Sequence, residues 1–281
     1  MNPARIIGVG LWGSGLPGFP PSRAVLAGQA PWAADDAPPP VPGLLPPAER
    51  RRLGTTVRLA LAAAAEAVAM AGIDPRTAHN VFATSNGDGA VVHALLEELA
   101  RPAPLLSPTQ FHNSVHNAAA GYWTIAIGSR APTQCIALHD ATFAAGLLAA
   151  MAELADGAPV LLCAHDAPLP APLAAKRRTE TGFAAAFVLA PAQGEPAPGS
   201  LGRLSLRYEA EAAAAPFAAL PPALRRLAEG NPAAQALPLL AAIASGRPAR
   251  LALPYLDARL ELAFEPERAV CLEAAIGAGR A

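Results

Sequence analysis

The sequence predicts an α/β protein in which a mostly parallel sheet is covered by helices. Three observations carry that prediction. Strand-like and helix-like patterns alternate from Asn80 to Ala164, and the run Pro159 to Ala164 (PVLLCA) is continuously apolar, as in strands buried on both faces. The alanine-rich stretch from Pro47 to Ile73 is helix-forming in composition throughout. Alternation of this kind implies right-handed crossovers between parallel neighbours.

Taken in order, Ile6, Ile7, Val9 and Leu11 sit among glycines as a first strand, and Gly13 to Pro47 reads as a long Pro/Gly-rich surface excursion with no regular period. A helix follows from Pro47 and closes at Gly72, with Asp74-Pro75 as its stop signal. Asn80 to Ser85 is a buried strand, Asn86 to Gly89 (NGDG) a tight turn, and Ala90 to Ala100 a helix. After a proline-bearing loop, a helix is expected from Asn113 to Ile127, terminated by Gly128. Thr133 to Leu138 reads as a strand, Ala141 to Leu154 as a small-residue helix, and Pro159 to Ala164 as the fully buried strand. Beyond the loop DAPLPAPLAAKRR come a strand at Gly182 to Leu189 and a polar linker, AQGEPAPGS. The remainder offers strands near Leu201 to Tyr208, Arg250 to Leu253 and Arg259 to Phe264, with helices at Pro221 to Glu229 and Ala234 to Ser245.

Composition narrows the function classes. Charged residues are 15% of the chain, net charge is −1 and hydrophobic residues reach 53%, which argues against disorder and against a nucleic-acid groove. Lys176 is the sole lysine against 20 arginines, so part of the Ala/Pro/Arg bias reflects codon composition rather than physics. So few charges leave a sizeable apolar face to be buried against another subunit. Cys135, Cys163 and Cys271 are widely spaced, which fits a reducing, cytoplasmic setting. Gly and Pro interrupt the amino-terminal apolar run, against an export signal, and the longest uncharged apolar stretch, Ala141 to Ala152, is too short for a membrane span.

Two stretches carry a resemblance: Ala83 to Ala100 (ATSNGDGAVVHALLEELA) and, above all, Ser107 to Gly128 (SPTQFHNSVHNAAAGYWTIAIG). Together with the strand, turn and helix through Gly157 they resemble the amino-terminal half of β-ketoacyl synthases of the thiolase-like fold. The specific likeness is to the short chain-length factors that accompany ketosynthases of aryl polyene and xanthomonadin-type pathways. It extends over about residues 5 to 190. The resemblance implies a layered α/β/α, ketosynthase-like fold with a shortened carboxy-terminal half: residues 1–190 as the amino-terminal-like half and 191–281 as a reduced second half packed on it.

The resemblance also places Asp140 where a ketosynthase carries its nucleophilic cysteine, at the start of the helix after the strand. An aspartate caps a helix well but is a poor acyl acceptor for chain elongation. Ketosynthases further need two histidines from their second half, and this chain has none after His165. The implied role is therefore non-catalytic and without cofactor. The chain would form a heterodimer with a β-ketoacyl synthase subunit, on which an acyl carrier protein docks. Phe111, Val115, His116 and Asn117, with Tyr122 and Trp123 as bulkier neighbours, would line the interface or cap the partner's acyl tunnel and set its depth by steric exclusion.

Other readings compete at the same residues. His112 and His116 lie one helical turn apart, as in an HxxxH zinc motif, but spacing indicates no third ligand. Ser114, His116 and Asp140 could form a hydrolytic triad, or Cys135 could serve as nucleophile, making an independent acyl hydrolase or transferase. No G-x-S-x-G elbow accompanies Ser114, and Cys135 falls within a strand. A homodimeric acyl-binding scaffold is the third alternative. The Asn86 to Gly89 turn resembles a phosphate cradle but lacks a dinucleotide fingerprint.

Overall fold

The computed structural model describes residues 2–35, 37–38, 43–177, 179–194, 199–210, 217 and 220–267. The chain runs through β1 (Ala4–Gly13), α1 (Phe19–Leu26), α2 (Pro47–Arg50), α3 (Thr55–Ala71), β2 (His79–Ala83), α4 (Gly89–Leu99) and α5 (Pro108–Asn113). It continues through α6 (Ala118–Ile127), β3 (Thr133–Ile136), α7 (Thr142–Glu153), β4 (Val160–Asp166) and β5 (Phe183–Pro191). The last elements are β6 (Gly202–Glu209), α8 (Pro222–Glu229), α9 (Leu237–Ser245), β7 (Ala249–Tyr255) and β8 (Ala258–Glu265).

All the strands form one eight-stranded sheet in the order β3-β2-β4-β5-β1-β6-β8-β7. The expectation of a mostly parallel sheet is corrected: β2 is parallel to β3 and to β4, and every other neighbouring pair is antiparallel. The strand–helix alternation holds only from β2 to β4, and it is there that crossovers make parallel neighbours. From β5 onward the chain returns alongside earlier strands. Helices α3 and α6 pack on one face of the sheet, and α1, α7, α8 and α9 on the other, giving the layered α/β/α arrangement. Strand β4 is buried along its whole length, as its apolar run requires.

The alanine content has a packing purpose. A Cβ on Gly8 or Gly10 of β1 would stand 2.1 Å from the Ala67 carbonyl or 1.9 Å from the Ala63 carbonyl, so α3 lies flush on β1 through glycine on one side and alanine on the other. Ala60, Ala63, Ala64 and Ala67 are fully buried. Larger side chains there would push the helix off the sheet. Glu66, one turn along the same helix, reaches down to accept Leu11 N and Phe19 N, each at 2.8 Å. Burial raises its pKa, partly offset by those two backbone donors.

Three segments depart from expectation. The Gly13 to Pro47 excursion contains α1, which begins with Pro20 and Pro21 in its first turn, where a proline costs no hydrogen bond. The single helix expected from Pro47 breaks between Arg50 and Thr55. Gly54 sits at the break, where a Cβ would lie 2.0 Å from Asp88 Oδ2, and Asp88 is needed to cap α4 through Val91 N at 3.1 Å. The helix expected from Asn113 to Ile127 begins only at Ala118, and a separate short helix, α5, precedes it. Ser107 caps α5, Asn113 ends it, and α6 starts only at Ala118. Asn113 is buried, donating to the Arg52 carbonyl at 2.9 Å and accepting from Tyr122 Oη at 2.9 Å, which fixes the chain in a turn rather than a continued helix. The segment expected as one helix from Ala234 is a 3-10 turn, Pro232–Ala236, leading into α9. Gly72, Gly128 and Gly246 terminate α3, α6 and α9 in the left-handed conformation. Among the described residues no helix is long and apolar enough to cross a membrane.

Candidate functional site

The carboxyl ends of the three parallel-paired strands converge, the usual place for a ligand crevice in such a sheet. Thr84 and Ser85 follow β2, His139 and Asp140 follow β3, and His165 and Asp166 end β4. The turn after β3 is stiff: Leu138 N donates to Thr142 Oγ1 at 2.9 Å and Thr142 Oγ1 to the His139 carbonyl at 2.6 Å. His139 is held at φ 47°, a left-handed conformation rare for a non-glycine residue and characteristic of functional turns. This turn sets Asp140 at the amino end of α7.

The Asp140 carboxylate is not free. Arg177, from the loop between β4 and β5, lies 3.0 Å from Asp140 Oδ1, and His139 Nδ1 lies 3.3 Å from Oδ2. Arg177 Nη1 also donates to His139 Nε2 at 2.5 Å, which makes that nitrogen the acceptor. The Asp140 carbonyl accepts from Gln235 Nε2 at 2.6 Å, tying the turn to the 3-10 segment before α9.

Beneath this lies Asp166, fully buried. Its Oδ1 accepts from Thr84 Oγ1 at 3.0 Å and from Ser85 N and Ser85 Oγ at 2.9 Å each, while Oδ2 has no hydrogen-bond partner. Burial drives its pKa up to about 6, against the pull of the Ser85 and Thr84 donors and of Arg177. Its neighbour His165 is driven the other way, to about 4, again by burial, with the backbone bond to Cys163 opposing and His116 adding to the fall. His116 Nε2 meets the Thr84 carbonyl at 3.0 Å, so the Ser114–Asn117 break delivers it to the end of β2.

The residues singled out in the sequence fall into three groups. Asp140 stands at the crevice, with His116 exposed at its rim. Phe111, Val115 and Asn117 are exposed on the outer surface of the α5–α6 segment, Phe111 at 64% and Val115 at 47%. Tyr122 and Trp123 are inside the chain's own core. Tyr122 is bonded to Asn113 as above, and Trp123 Nε1 donates to Asn80 Oδ1 at 3.0 Å. Ser114 Oγ donates to the Phe111 carbonyl at 2.8 Å, and among the described residues none of Ser114, His116 and Asp140 is hydrogen-bonded to another. Cys135 on β3 is half-buried and Cys163 on β4 buried, and desolvation raises both thiols above their ordinary pKa, the reverse of an activated nucleophile. Cys271 lies outside the described residues.

Spacing did not reveal Arg177, Gln235 or Asp166, which come from three separate parts of the chain. It also missed a different cluster, at the other end of the same strands. His79, Glu153 and Asp156 offer ligand atoms all within 4.8 Å of one another and could hold a metal ion. His79 Nδ1 is 2.9 Å from Glu153 Oε2, and Gln134 Nε2 donates to Glu153 Oε1.

Residues 26–215 match the family model of the β-ketoacyl synthase N-terminal domain. No curated protein matches the sequence. Among solved structures, the chain is similar to one from the ketosynthase ApeO in complex with its chain length factor ApeC from Xenorhabdus doucetiae: 20% identity and TM-score 0.70, covering 94% of this chain and 99% of that one. It is similar to the ishigamide ketosynthase/chain length factor at 16% identity and TM-score 0.69, covering 95% and 100%. A complex of a type II acyl-carrier protein with its hexaketide-bound ketosynthase, AntDE:AntF, gives 12% identity and TM-score 0.72, covering 95% and 100%. These superpositions over nearly the whole chain establish a shared thiolase-like, ketosynthase fold. With the family model spanning well over half of its length, the chain belongs to the β-ketoacyl synthase family, through its N-terminal domain.

Proposed function

We propose that this chain is a non-catalytic, chain-length-factor-like subunit that pairs with a β-ketoacyl-acyl carrier protein synthase and limits the depth of its acyl tunnel, in cytoplasmic type II polyketide or aryl polyene synthesis. The observation that carries the reading is where the exposed apolar side chains lie. Of ten large hydrophobics exposed among the described residues, seven fall between positions 96 and 125: Leu96, Leu99, Leu105, Leu106, Phe111, Val115 and Ile125. A monomer gains nothing from such a concentration, whereas burial against a partner removes it from water. Strand β3, at the sheet edge, carries its unpaired backbone groups on the side away from β2.

Phe111, Val115, His116 and Asn117 belong to this segment, and we assign them to the partner's tunnel wall, with buried Tyr122 and Trp123 supporting them from inside. The absence of catalytic activity is supported by the Asp140–Arg177 ion pair in the nucleophile's position and by the lack of any histidine after His165. Residues 1–190 act as the ketosynthase-like half and 191–281 as the reduced second half, which extends the same sheet through β6, β8 and β7. An acyl carrier protein would dock on the assembled pair. Against the alternative hydrolase, Ser114, His116 and Asp140 share no hydrogen bond among the described residues, and burial raises the Cys135 and Cys163 thiols.

The test is co-expression with a candidate ketosynthase, affinity capture and native mass spectrometry. A one-to-one complex is expected, abolished by Ile125→Glu, and Phe111→Ala within the complex is expected to lengthen the products. A chain that stays alone with every ketosynthase from its host, or that elongates acyl carrier substrates unaided, overturns the reading.

A further inference from the structure

The segment from Ala167 to Thr181 joins β4 to β5, and its ends are pinned by the carboxy-terminal part of the chain. Asn231 Nδ2 donates to the Asp166 carbonyl at 3.3 Å and to the Thr181 carbonyl at 2.7 Å, and Glu180 N donates to the Gly230 carbonyl at 3.0 Å. Between these ends the described residues of the strap carry one short 3-10 turn, Leu173–Ala175, and none of them belongs to a strand of the sheet. Arg177 is its charged anchor. The guanidinium side chain is 18% exposed, pairs with Asp140 and His139 of the β3–α7 turn, and is felt by buried Asp166 at the end of β4.

We infer that Asp140 is a clasp residue. Its carboxylate holds Arg177 of the strap and its carbonyl holds Gln235 of the second half, so that the position from which a nucleophile would act instead locks two remote segments over the crevice. Three features make this more than a surface ion pair. The acidic partner is pre-positioned by the Thr142-braced turn and the φ 47° of His139, so little freedom is lost on pairing. The guanidinium is mostly withdrawn from solvent, where losing one carboxylate leaves a costly unpaired charge. The carbonyl bond to Gln235, itself 7% exposed, couples the same residue to the carboxy-terminal half. The clasp does not depend on the partner assignment, and its test runs on the full chain alone.

The test is amide hydrogen exchange read by mass spectrometry on wild type, Asp140→Asn, Arg177→Ala and the double variant, with the α6 peptide as internal reference. The expected result is exchange across residues 167–181 about tenfold faster in either single variant, no faster in the double variant, and unchanged in α6. Asp140→Asn preserves shape and removes charge, and Asp140 is exposed, so folding is retained. Gln235→Ala is expected to speed exchange over 232–236 together with the 138–142 turn. Unchanged exchange in the strap after either single substitution, or effects that multiply in the double variant, overturns the clasp.

Discussion

His165 and Asp166 end the same buried strand and should cancel each other's effect on stability between about pH 4 and pH 6. Burial raises the Asp166 carboxyl from 3.8 to about 6, so in that window the folded protein holds a proton that the unfolded chain has released. Its contribution is fully present below pH 3.8 and is lost as pH rises through about 6. Burial lowers the His165 imidazole from 6.5 to about 4, so there the unfolded chain holds a proton that the folded protein does not. Its contribution is fully present above pH 6.5 and is lost as pH falls through about 4. At about 1.4 kcal/mol for each tenfold change in proton affinity, each displacement is worth about 3 kcal/mol, with opposite sign. The assay is chemical denaturation at half-unit steps from pH 4 to 7 on wild type, Asp166→Asn and His165→Gln. Asparagine retains an oxygen for the Thr84 and Ser85 donors, so the comparison isolates the proton. The stability of Asp166→Asn relative to wild type should rise by about 3 kcal/mol from pH 4 to 6, and that of His165→Gln should fall by a similar amount from pH 4 to 6.5. Difference curves that are flat, or that slope the same way, would refute the assignment of both shifts to burial.

Gly10→Ala should destabilise the fold by about 3 kcal/mol or more in thermal or denaturant unfolding, because the new Cβ would stand 1.9 Å from the Ala63 carbonyl and neither backbone can yield cheaply. Trp123→Phe leaves the Asn80 amide oxygen, buried at the head of β2, without its 3.0 Å donor, and should cost about 1 to 3 kcal/mol in the same assay. Iodoacetamide at pH 8 followed by peptide mapping should leave Cys163 unmodified in the folded chain and label Cys135 more slowly than a free thiol, since burial raises both.

Period and capping chemistry made the central elements legible. The strands β2, β4 and β5 and the left-handed glycine ends of α3 and α6 follow directly from apolar runs and from Gly72 and Gly128. Strand direction was not legible, because a buried apolar run records burial and says nothing about which neighbour it joins. The stretch between β4 and β5 is long enough for a crossover, yet β5 returns antiparallel to β4 and brings β1 in beside it. Helix α1 was hidden by Pro20 and Pro21, read as breakers when they occupy the one helical turn that tolerates them. The α5–α6 break was hidden because its cause is tertiary: Asn113 turns the chain by bonding to Arg52, 61 residues away.

The same distinction divides the candidate site. Asp140 was singled out because a motif and a strand–helix junction mark it locally, whereas Arg177 and Gln235, which it contacts, are 37 and 95 residues distant and no spacing rule connects them. What the structure adds is the set of groups that this carboxylate meets. A carboxylate at a helix amino end is ordinarily a cap, but α7 has no side-chain cap hydrogen bond, and the exposed Asp140 carboxylate pairs instead with a mostly buried guanidinium that would be left a desolvated, unpaired cation without it. A nucleophile's position must leave its reactive atom open to substrate. Here a braced turn with a left-handed residue before a helix presents a carboxylate that has His139 on one side and Arg177 on the other. The exposed apolar side chains, by contrast, concentrate on the α4–α6 segment, between Leu96 and Ile125.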